Sequence, residues 1–134
     1  MISTHCDTLK NGSIRKLQLL LAVVLLGFAG LSQAHHGWSW TMEGAFQLVG
    51  VVEEATLCNP HGVLVMNAEG EKWTVEVGQP WRNEQAGLTD AMLAPGAELT
   101  LVGKRSLDPK EKKMKVERVI IEGRRFDLYP ERLK

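Results

Sequence analysis

"GVLVMNAEGEKWTVEV", residues 62–77, decides the fold. In its second half Trp73, Val75 and Val77 alternate with Lys72, Thr74 and Glu76, the period of a strand with one face in a core and the other in water. Its first half, 62–67, is a short run of β-branched and aliphatic residues. Ala68-Glu69-Gly70-Glu71 between them has hairpin-turn chemistry, so the two runs are expected to pair antiparallel.

Working outward, "FQLVGVVEEATL", 46–57, reads as a long strand, and Gly50 inside it predicts a bulge or sharp bend. Downstream, within 78–96, Pro80 suits a helix start, Gly87 a helix stop and Pro95-Gly96 a turn. Two more strands follow, 97–104 and 114–123, joined by the charged loop "RSLDPKEKK", with a short sixth expected at 126–129. The order is three strands, one short helix, then two strands, with a long bent first strand, in about 100 residues. That predicts a mainly β protein: a small five- to six-stranded Greek-key barrel of the OB (oligonucleotide/oligosaccharide-binding) type, with one short helix between strands three and four. An immunoglobulin-like sandwich wants about seven strands. The fold name leaves the ligand open.

The amino-terminal third is of another kind. Lys10, Arg15 and Lys16 precede an almost unbroken apolar run from Leu17 to Ala29, and Ser32-Gln33-Ala34 places small residues where a signal peptidase reads. The apolar core is shorter than the ~20 residues of a membrane-spanning helix. Residues 1–34 are therefore expected to be a cleavable signal, leaving a single domain, 35–134, in the periplasm or outside the cell and not embedded in the membrane. Cleavage takes away three of 16 basic and one of 16 acidic residues, so the domain carries 13 against 15. A slightly acidic domain disfavours nucleic acid as a partner. Cys6 leaves with the signal, so Cys58 becomes the sole cysteine of the mature domain and no intrachain disulfide is expected there.

Cleavage after Ala34 also puts His35 and His36 at a free amino terminus. The mature domain's other histidine, His61, lies in "CNPHG", 58–62, where Asn59-Pro60 is a turn former between the first two strands. "AHHGW" after the signal, "NPHG" in that loop, "W.VE" in the third strand, "GL" in the insert and "L.PG..L.L.G" entering the fourth strand resemble a family of small exported bacterial proteins. That family is classed as a domain of unknown function. The resemblance implies export and a compact β domain, and it brings no activity with it.

The chemistry is argued from the residues. An amino-terminal histidine can bind one metal ion through both its α-amine, with a reference pKa of only ~7.7–8.0, and its imidazole. A third nitrogen from the fold would complete a T-shaped or square set, which suits Cu(II) best among common divalent ions. His61 is the expected third ligand, with His36 a spare or substitute. For His35 to meet His61 the leading segment must fold back along the first strand, pinned by Trp38, Trp40 and Phe46; the rival arrangement leaves the terminus at the opposite end. Cys58, spaced C-x-x-H from His61, adds a softer ligand and makes zinc the alternative metal. Met42 and Met66 are expected to be structural. No orienting carboxylate marks Cys58 and His61 as a catalytic pair, and Glu53-Glu54 reads as solvated charge, so catalysis is not expected. The expected function is an exported copper-binding protein. The alternative is a structural or interaction module of the cell envelope docking on another envelope protein.

Overall fold

In the computed structural model of the chain the described residues are 37–133. The predicted signal, His35 and His36 lie outside them. Six strands follow in order: β1 Phe46–Leu57, β2 Gly62–Ala68, β3 Glu71–Glu76, β4 Glu98–Arg105, β5 Lys113–Ile121 and β6 Arg124–Asp127, with helix α1 Pro80–Gln85 between β3 and β4. β1, β2 and β3 form an antiparallel meander, β4 pairs with β1 and β5 with β4. A short parallel pairing of β3 with β5, Thr74 to Lys113 and Glu76 to Lys115, closes a five-stranded mixed barrel. β6 is added outside it on the edge of β5. This is the OB-like barrel expected from the strand order.

The local chemistry accounts for the elements. Glu69 and Gly70 both have positive φ, 53° and 80°, and join Ala68 to its partner Glu71. Such a two-residue turn has the twist that antiparallel strands require. The same Glu-Gly pair recurs at 122–123, with φ 49° and 80°, and folds β6 back on β5. The sixth strand therefore starts at Arg124, two residues earlier than expected. The bulge in β1 falls between Val52 and Glu54 and not at Gly50. Gly50 answers a different need, because a Cβ there would stand 2.5 Å from the Asn67 carbonyl oxygen across the strand pair.

Alternation fills the barrel: Leu64 and Met66 of β2, Trp73 and Val75 of β3, and Leu99 and Leu101 of β4 are buried together. Each fully buried aliphatic contributes about 1.5–3 kcal/mol of transfer free energy. Helix α1 starts at Pro80 and stops before Gly87 as the sequence predicts, and beyond it Leu88 and Leu93 seat on the core. Two single 3-10 turns, Asp90–Leu93 and Pro130–Arg132, were not expected. Met66 is core, whereas Met42 is exposed. Among the described residues no helix is long and apolar enough to cross a membrane.

Candidate functional site

The site is built where β3 meets β5. Along β5, Met114 and Val116 point into the core, so alternation turns Lys115 and Glu117 to the outer face. Both are nevertheless buried, Lys115 to 2% exposure, because other segments lie over them. The Lys115 ammonium stands 3.6 Å from a carboxylate oxygen of Glu76, its partner across the parallel pairing, and donates to the Gly37 carbonyl at 3.3 Å. Burial pushes its pKa down, and the Glu76 carboxylate opposes that shift. Glu76 also pairs with Lys113 at 3.2 Å.

Gly37 is thus fixed at the seam, and the residues after it trace the way back to β1. Trp38 packs edge-on against Tyr129, ring centroids 5.0 Å apart. The Trp38 carbonyl accepts from the Thr41 backbone and hydroxyl, and the Trp40 carbonyl accepts from Leu107 N–H. Met42 N–H donates to the Arg105 carbonyl, so the segment runs beside the end of β4. Trp40 lies under the Lys113 ammonium, and Phe46 stacks on Trp73 at 5.3 Å. All three aromatic residues expected to pin the segment make ring contacts with the barrel strands or the tail beyond them.

The loop histidine lies at the start of β2, which pairs with β3 on the side away from β5. Cys58, Asn59, Pro60 and His61 connect β1 to β2, with a cis Asn59-Pro60 bond. Gly62 N–H donates to the Gly78 carbonyl and the Gly62 carbonyl accepts from Val77 N–H, so the mouth of β2 is held against the end of β3. His61 is half-buried with its Nδ1 shielded from solvent, two residues before Val63, whose cross-strand partner is Glu76. A continuous path therefore runs from His61 through the Val63–Glu76 pair and Lys115 to Gly37. His35 lies two residues beyond Gly37, a reach of at most about 7 Å.

Among the described residues no three His, Cys, Asp or Glu side chains converge on a point able to hold a metal ion. Three nitrogens at His61 would need groups supplied by His35 or His36, which lie outside the described residues. Cys58 is disulfide-bonded in the full chain, its partner also outside them. A Cys58 thiolate ligand belongs only to a processed chain. Glu53 and Glu54 are exposed, and Glu53 is held in its charged form by Asn67 and Lys72. Sequence reasoning missed Lys115 and Glu76, because nothing in the alternation of β5 marks an outward lysine as covered.

On the other flank of the 58–61 loop a cleft of about 530 Å³ opens between Asn59, Trp81, Glu84, Leu88 and Asp90. Trp81 is 51% exposed, its indole N–H donating to Gln79.

The fold defines a class, a small OB-like barrel whose leading segment is held at the β3–β5 seam and whose β1–β2 loop abuts the end of β3. The chain belongs to DUF6152, a family of unknown function, whose model matches residues 22–115 and so takes in both histidine segments. No curated protein matches the sequence significantly. Among solved structures the chain is similar to the crystal structure of the ZRD-deleted mutant of TiaS in complex with agmatine, with 12% identity and a TM-score of 0.46. That likeness covers 63% of this chain and 26% of the other, so the chain spans about a quarter of its length.

Proposed function

We propose that the exported, processed chain is a copper-binding protein of the periplasm or cell exterior. One Cu(II) is held by the α-amine and imidazole of His35 and by the imidazole of His61, with His36 as the substitute ligand. The observation that carries this reading is the return of the leading segment to the β3–β5 seam, where Lys115 holds Gly37 on the side of the barrel that the His61 loop reaches. The opposite arrangement, with the terminus at the far end of β1, would leave His61 alone. The all-nitrogen donor set favours copper, and zinc would require Cys58. The reading is of ion binding, and no catalytic step is part of it.

The test is a parallel titration of the processed chain, a variant with one residue added before His35, His61→Ala and Cys58→Ser. The parent should take up one Cu(II), with electron paramagnetic resonance reporting nitrogen ligands. The extension and His61→Ala should each lose much of the affinity, and Cys58→Ser should keep it. Full binding by the extended chain together with loss in Cys58→Ser would replace this site by a Cys58–His61 loop site. The exposed Trp81 beside the same loop favours a second reading, an interaction module, and that reading gains if no variant binds above a histidine background.

A further inference from the structure

Residues 128–133 lie outside the strands of the closed barrel, yet they cover the point where Gly37 is held. β6 brings the chain back along β5, and Leu128 and Tyr129 N–H both donate to the Glu117 carbonyl, at 2.9 and 3.1 Å. The Tyr129 ring then packs perpendicular to the Trp38 ring. The Arg132 guanidinium lies over the Trp38 ring at 4.1 Å, while Lys115 faces the same indole at 5.0 Å. Arg132 is aimed there by Glu117, whose carboxylate it meets at 3.4 Å. Tyr129 is held in turn by Arg82 of α1, stacked on its ring at 4.3 Å and donating to the Leu128 carbonyl at 3.1 Å. Trp38 is thus held by two cations and a perpendicular aromatic ring drawn from β5 and the tail.

Cation–aromatic contacts and perpendicular aromatic pairs are individually modest, and together they add to the three backbone hydrogen bonds that the described part of the leading segment makes. We propose that the carboxy-terminal segment 128–133 is a clamp on the leading segment 37–42, with Tyr129 and Arg132 as positioning residues that fix Trp38 and so hold Gly37 at the β3–β5 seam. Its bearing on copper rests on the function proposed above; the clamp itself does not. Tyr129 and Arg132 lie beyond the stretch matched by the family model. The ring, and not the phenolic oxygen, does the holding at Tyr129. At Arg132 the cation is what counts.

The experiment uses the processed chain with Tyr129→Leu, Arg132→Gln, the double variant, and the conservative changes Tyr129→Phe and Arg132→Lys. Without metal, amide exchange at Thr41 and Leu107 should speed up by about tenfold or more in the double variant while the β1–β4 ladder stays protected. Tyr129→Phe and Arg132→Lys should stay close to the parent. With Cu(II), the double variant should bind more weakly and lose its single nitrogen-rich resonance spectrum, and the conservative variants should retain it. Unchanged exchange at Thr41 and Leu107 in the double variant overturns the clamp, and so does a uniform loss of protection across the whole barrel. If the clamp variants release the segment but the parent binds no Cu(II), the clamp stands and the copper reading has failed. Normal copper affinity and spectrum in a double variant whose segment is released would show that clamp and copper site are not linked, which overturns the positioning role.

Discussion

Single residues in this protein are constrained by backbone approach as much as by side-chain burial. Gly50 is the clearest case: a methyl group there would meet the Asn67 carbonyl carbon at 3.1 Å as well as its oxygen. Neither atom can rotate aside. Gly50→Ala should therefore force β1 and β2 apart at that pair and cost roughly 1–3 kcal/mol, read from the midpoint of urea unfolding. A midpoint equal to the parent's would mean that the pair opens without penalty. Lys115 illustrates the opposite limit of legibility. In the sequence it is one of many lysines on a strand's polar face, and in the fold it is among the most buried side chains of the barrel. A lysine is tolerated there because Glu76 and the Gly37 carbonyl satisfy its ammonium.

At the scale of elements, β1 through β5 and α1 were legible because periodicity, turn residues and proline placement agree on them. The hairpin between β2 and β3 was recognised by its Glu-Gly turn. The equivalent turn at 122–123 carries the same dipeptide, and its signal was available, but the apolar run before it reads through to the glycine as one longer strand. β6 adds buried Phe126 to the core and an ion pair on its outer face. Arg118 grips Asp127 through Nε and through Nη2, the latter at 3.0 Å. That guanidinium holds the Asp127 carboxyl below the usual carboxylate range. A lowered carboxyl adds stability that is fully present above its ordinary value and is lost as the pH falls through the lowered one. Both side chains are partly exposed, so the pair is worth at most about 1 kcal/mol. Asp127→Asn should then melt below the parent at pH 7, and the two curves should converge in acid below the ordinary carboxylate range. A gap between them that is constant with pH would remove the ion pair from the account.

For the whole molecule, everything proposed about metal depends on where the mature chain starts. Intact-mass measurement of exported protein should give a chain beginning at His35. A species that keeps the signal, or one cut beyond His36, would take away the α-amine chelate and with it the copper site.

The amino-acid sequence by itself determined the strand order, the helix between β3 and β4, the first tight turn and the histidines as candidates. These follow from local rules, in which side-chain alternation and glycine or proline geometry act within a few residues. Only the tertiary structure decided that the leading segment returns to the β3–β5 seam, that Lys115 and Glu117 are covered, and that Tyr129 and Arg132 meet Trp38. Those contacts join positions 78 to 94 residues apart in sequence. They arise because closing the barrel through a parallel β3–β5 pairing leaves an outer seam, which segments 37–42 and 128–133 fill together.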